Sequence, residues 1–134
     1  MYKRQVNGIP HYAYNFVGRD LTVVRGARPM RPGRHNLVVR FDYDGGPPGS
    51  GATVTLQVDG IAVGSGRIAV TTAYYFSFDE TFNVGVDPGT PVVDDYLPVR
   101  NTFEGLIRCV RFDLDDVADA GTDEDRARVV MVHQ

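Results

Sequence analysis

Cysteine and tryptophan are what this 134-residue chain has least of: it holds one cysteine, Cys109, and no tryptophan. A lone cysteine cannot close an internal disulfide, so nothing in the sequence points to an oxidising compartment. With Val110 and Phe112 beside it, Cys109 is expected to be a small buried apolar residue rather than a reactive thiol. No stretch approaches the roughly 20 apolar residues that span a bilayer. The three histidines, His11, His35 and His133, have neither the i,i+4 spacing nor the cysteine neighbours of a zinc site. No serine sits in a G-x-S-x-G elbow, and His11 and His35 fall at strand starts or turns, where a surface position is expected. The glycine-rich run Gly45 to Gly51 leads into an alternating strand instead of a helix N-terminus, so it is read as structural or as an exposed edge contact, and not as a phosphate cradle.

What the chain does have is uneven charge. Its net charge of -3 conceals a basic start, with Lys3, Arg4, Arg19, Arg25, Arg28, Arg31 and Arg34 against the single acid Asp20. Residues 113–125 are the reverse, acidic and without a base. The arginines alternate with strand and turn residues and are not interleaved with stacking aromatics. They are therefore read as solvated outer-face positions and not as a nucleic-acid footprint.

Periodicity predicts strands. Leu37, Val39, Phe41 and Tyr43 alternate with Val38, Arg40, Asp42 and Asp44, and Val54, Leu56 and Val58 alternate with Thr53, Thr55, Gln57 and Asp59. Asp59-Gly60 supplies the two positive-φ positions of a type I′ turn, which makes residues 52–70 a β-hairpin. Further strands are expected over 11–17, 20–26, 74–82 and 103–114. Pro32-Gly33 and the glycines and prolines of 45–51 mark the turns. The fold expected is all-β, an antiparallel two-layer β-sandwich. In the acidic tail, Thr122-Asp123-Glu124-Asp125 could cap a short helix through Met131.

The densest chemistry lies in Tyr74 to Tyr96, where an aromatic strand runs into Asp79, Glu80 and Thr81 and then a Gly/Pro turn series. Loops carried by a rigid sheet are where binding chemistry concentrates. Asp79, Glu80, Asp87, Asp94 and Asp95 could furnish the hard oxygen ligands of calcium, although their spacing is not that of an EF-hand. The plainer reading has Asp79 and Thr81 bonding turn N–H groups and ordering the loop up to Pro91. A carboxylate pair for glycoside hydrolysis has only the proximity of two acids to support it.

Several motifs follow one another in a familiar order: Phe41-Asp42-Tyr43-Asp44-Gly45-Gly46, Gly51-Ala52-Thr53-Val54-Thr55-Leu56, Val58-Asp59-Gly60, Gly66-Arg67, Phe76-Ser77-Phe78-Asp79-Glu80-Thr81, Val84-Gly85, Asp87, Gly89-Thr90-Pro91-Val92 and Tyr96. With the opening Tyr12-Ala13-Tyr14-Asn15 and the closing Phe103-Glu104-Gly105-Leu106-Ile107, this order resembles the C-terminal β-sandwich domain of large bacterial arylsulfatases, over about residues 7–115.

The resemblance implies a jelly-roll, concanavalin A-like sandwich. It also implies a partner, the catalytic α/β domain of the same polypeptide, where formylglycine and calcium hydrolyse sulfuric esters. The C/S-x-P-S-R motif that yields formylglycine does not occur here, because Cys109 is followed by Val110-Arg111-Phe112. The expectation is thus an accessory domain, inactive alone, with no catalytic residue and no cofactor of its own, and with neither nucleic acid nor membrane as partner. Residues 1–6 are expected to be a truncation or assembly scar, 7–115 the sandwich and 116–134 an acidic tail. Asp79, Glu80, Thr81, Asp87, Pro91, Val92 and Tyr96 are expected to shape or line the interface with the catalytic domain. The alternative is a stand-alone lectin-like module that stacks sugars on Tyr12, Tyr14, Tyr74 and Tyr75.

Overall fold

The computed structural model describes residues 2–73, 82–97 and 101–114, in two units, Met1–Glu104 and Gly105–Gln134. In the first unit the elements are β1 (Tyr2–Val6), β2 (Ile9–Phe16), β3 (Asp20–Arg25), β4 (Leu37–Tyr43), β5 (Ala52–Val58) and β6 (Ile61–Ile68). They form two three-stranded antiparallel sheets, β1-β2-β3 and β4-β5-β6, and the described residues contain no helix.

Turn chemistry sets the registers. Asp59 and Gly60 take φ of 52° and 82°, the left-handed pair expected of a type I′ turn, and hold Val58 opposite Ile61. Asn7 and Gly8 do the same at 51° and 75°, pairing Val6 with Ile9. Residues Tyr2–Val6 thus form a strand that the sequence reading did not expect. The Asn7-Gly8 dipeptide is its one sequence signal, since Lys3-Arg4-Gln5 offers no apolar alternation.

The β2–β3 turn is less comfortable. Val17 is held at φ 45°, a conformation that crowds a β-branched side chain, and Gly18 follows at 74°. Val17 is 58% exposed, so its side chain gains little from burial in return. Val17→Asn should therefore raise stability by about 1 kcal/mol, since Asn tolerates this region. A urea midpoint unchanged or lowered in that variant would refute the strain.

The two sheets share one core. Tyr12, Tyr14 and Val24 from the first meet Ala52, Val54, Leu56 and Ile68 from the second, with Phe16, Val39 and Val63 packed at its margin. β5 shows the expected alternation, with Ala52, Val54 and Leu56 buried and Thr53 and Thr55 less so. β2 does not alternate: Pro10, His11, Tyr12, Ala13 and Tyr14 are all buried. A central strand covered on both faces has this signature. The surface position expected for His11 is thereby corrected.

Along the β3–β6 seam the sheets approach closely. Ala27 donates its N–H to the Val63 carbonyl at 2.8 Å. Gly64 and Gly66 in β6 leave room for β3: a Cβ on Gly66 would lie 2.6 Å from Val24 Cγ2, and one on Gly64 would overlap the Arg25 carbonyl oxygen. The 45–51 connection is tied down by Tyr43 Oη donating to the Pro47 carbonyl at 2.8 Å and Thr71 Oγ1 donating to the Ser50 carbonyl at 2.6 Å. An ion pair between Arg67 and Asp44 adds to this, and the guanidinium holds the Asp44 carboxyl below its usual range.

In the second unit, described residues 105–114 carry no strand, which corrects the expected strand over 103–114. Alternating apolar residues make a strand only where a ladder receives them, and the described residues 105–114 form none. Cys109 is exposed, not buried as expected, along with Leu106, Val110 and Phe112. Arg111 pairs with Asp113 at 2.7 Å. The strand expected over 74–82 falls, except for Phe82, outside the described residues, as does the acidic tail from residue 115.

Candidate functional site

After β6 the chain returns as a strap, residues 82–97, rich in glycine, proline and aspartate. Its shape is set by one buried acid. Asp87, 9% exposed, accepts a hydrogen bond on Oδ2 from the Tyr96 hydroxyl, and that hydroxyl accepts the Val92 N–H at 2.8 Å. Asn101 closes the base of the strap. Its Oδ1 accepts the Asp87 N–H at 2.7 Å, and its Nδ2 donates to the carbonyls of Asp87 at 2.8 Å and Leu97 at 3.0 Å. Phe103 N–H donates to the Gly85 carbonyl at 2.7 Å. These bonds pair backbone groups of Gly85, Asp87, Val92 and Leu97 in a turn series that has no ladder to do so.

Two contacts fasten the strap to the first sheet. Asn15 in β2 donates from Nδ2 to the Val92 carbonyl at 3.0 Å, while its Oδ1 accepts the Gly18 N–H at 2.7 Å. Arg4 in β1 forms an ion pair with Asp95 and lies 5.6 Å from the centroid of the Tyr96 ring, a cation–π distance. The guanidinium holds the Asp95 carboxyl below its ordinary range. Asn15, on the β2 face opposite the core, therefore meets the strap, and His11 on the same face feels the charge of Asp95. Between the strap and the β2–β3 turn lies a partly open cavity of about 270 Å³, bounded by Asn15, Arg19, Asp20, Leu21, Val93 and Asp94.

Of the expected site residues, the structure brings together Asp87, Val92 and Tyr96, with half-buried Pro91 in the same strap. Asp79, Glu80 and Thr81 lie outside the described residues. Of the remaining calcium candidates, Asp87 is engaged by Tyr96 and Asp95 by Arg4, while Asp94 is exposed. Among the described residues no three acids, histidines or cysteines converge on one point. Arg4, Asn15 and Asn101 were not foreseen. The one local signal was Asn15-x-x-Gly18, an Asn placed to bond the backbone three residues on.

The lectin-like alternative called for stacking on Tyr12 and Tyr14. Both are buried in the core, and Tyr74 and Tyr75 lie outside the described residues. Burial pushes the Tyr12 phenol well above its ordinary range.

No family model matches this chain, and searches of curated proteins and of solved structures likewise returned no match.

Proposed function

We propose that this chain is the accessory β-sandwich domain of an arylsulfatase-type sulfuric ester hydrolase, jelly-roll or concanavalin A-like in fold, and without hydrolytic activity by itself. The observation that carries the reading is the strap: a Gly/Pro loop with its own hydrogen-bond network, fastened to a sheet by Asn15 and Arg4. It occupies the stretch Val84-Gly85, Asp87, Gly89-Thr90-Pro91-Val92 and Tyr96, where the order of motifs resembles that family. Two sheets over a common core are compatible with a sandwich. In this reading Asp87 and Tyr96 hold the form of the strap, and Pro91 and Val92 add apolar area against a catalytic α/β domain that supplies formylglycine and calcium. The role proposed for Asp79, Glu80 and Thr81, which lie outside the described residues, is to hold the loop's shape.

Shape matters at such a contact because a displacement of about 1 Å at a substrate wall can cost roughly 100-fold in rate. The test is to add the purified chain to a sulfatase catalytic domain prepared without its own accessory domain. Saturable association and faster turnover of nitrophenyl sulfate are expected. Tyr96→Phe, which leaves the Val92 N–H and the Asp87 carboxylate without their partner, should weaken association about tenfold, and Asp79→Ala should weaken it as well. Hydrolysis of nitrophenyl sulfate by this chain alone, or no association at high concentration, would overturn the proposal.

A further inference from the structure

β4 ladders with β5 along one side, and among the described residues no strand pairs with its other side. Natural sheet edges discourage a further strand with proline, with a bulge, or with charges that repel an approaching copy. The segment LVVRFDY has no proline, and its ladder to β5 runs without a register shift from Leu37 opposite Val58 to Tyr43 opposite Ala52. Its charges are the remaining safeguard, and their order works against repulsion.

Arg40 and Asp42, two residues apart, share one face of β4, where they pair at 2.7 Å with side chains 66% and 45% exposed. Val39 and Phe41 take the other face, Val39 against the core and the Phe41 ring 6.4 Å from that of Tyr14. Phe41 and Tyr43 still leave 38% and 44% of their surface to solvent. A second β4 laid antiparallel, with Phe41 opposite Phe41, brings Arg40 of each copy opposite Asp42 of the other, while Val39 faces Tyr43. Every cross-strand pair over residues 39–43 is then apolar on apolar or base on acid. β1, the outer strand of the other sheet, is the contrast: the charges of YKRQV are Lys3 and Arg4, with no acid, so a second β1 would meet like charge.

We propose that the β4 edge is a docking surface for a second copy of this chain, two β4 strands pairing antiparallel about Phe41 and joining their three-stranded sheets across a two-fold axis. Each partner strand is already held extended by β5, so pairing loses little conformational entropy. Residues 110–114, Val-Arg-Phe-Asp-Leu, repeat the order Val39-Arg40-Phe41-Asp42 and its ion pair between positions two apart, and they offer the same charge match. The described residues 105–114 form no ladder, however, and would have to be ordered on docking, which favours β4 of the second copy as the occupant.

Sedimentation velocity of the whole chain over a rising concentration series should show a monomer–dimer equilibrium. Arg40→Asp and Asp42→Arg each set like charges opposite one another at both pairs, and each should weaken dimerisation roughly tenfold or more. Mixed in equal amounts, the two variants again place acid opposite base and should associate with near-native strength. That rescue is peculiar to two β4 strands, because pairing of β4 with residues 110–114 of the second copy would leave one like-charge pair in each variant and gain nothing from mixing. A native chain that stays monomeric throughout the series would overturn the proposal. A dimer that either single variant leaves intact, or that mixing fails to restore, would overturn it too.

Discussion

Gly64→Ala is expected to cost about 3 kcal/mol, the upper part of the usual overpacking range, because the new methyl would meet main chain and not a side chain able to swing away. Its Cβ would overlap the Arg25 carbonyl oxygen and come within 3.0 Å of the carbonyl carbon. That carbonyl has nowhere to go. The next two residues are fixed by Gly26 N–H donating to the Pro10 carbonyl at 2.9 Å and Ala27 N–H donating to Val63 at 2.8 Å. For a domain of this size the loss corresponds to roughly 10 °C in melting temperature. Gly66→Ala meets the Val24 side chain, which can adjust, and should cost less. Equal melting temperatures for Gly64→Ala and the native chain would mean that the two sheets do not meet along this seam.

Removing one hydroxyl from either of two tyrosines should have opposite results. Tyr12 and Tyr14 lie two residues apart on the same face of β2, and both are buried in the core. The Tyr14 hydroxyl accepts the Thr72 N–H at 2.6 Å and donates to Thr72 Oγ1 at 3.2 Å. Tyr14→Phe leaves that backbone donor unpaired and should cost about 1–3 kcal/mol. The Tyr12 hydroxyl is buried without a hydrogen-bond partner among the described residues. Tyr12→Phe keeps the ring's packing and removes an unsatisfied group, so it should be neutral or stabilise by about 1 kcal/mol. Urea unfolding of both variants decides the matter, and destabilisation of equal size in the two would refute the difference in bonding.

The local part of this architecture was readable from the residues alone. Asp59-Gly60 predicted its hairpin, and alternation predicted β4 and β5, because a two-residue repeat and a positive-φ turn are properties of neighbours in sequence. Asn7-Gly8 carried the same message, but the polar strand before it contributes no apolar face. His11 was misplaced because a strand covered on both sides loses its alternation. Residues 103–114 had the right repeat and no ladder to receive it.

Within the candidate site, Asp87 and Tyr96 were legible as members of one Gly/Pro loop. The anchors were not, since Arg4 meets Asp95 across 91 positions and Asn15 meets Val92 across 77. Only the three-dimensional arrangement creates those pairs.

Both sheets are made from strands adjacent in the chain, β1 to β3 and β4 to β6, so every described ladder is a contact between near neighbours. Loop closure then costs little entropy within either meander, and each can assemble on the microsecond scale of hairpins. Because local contacts form before distant ones, this topology predicts that the meeting of the two halves along Val24, Arg25, Gly64 and Gly66 comes late in folding. Substitutions at that seam should accelerate unfolding while leaving the folding rate nearly unchanged.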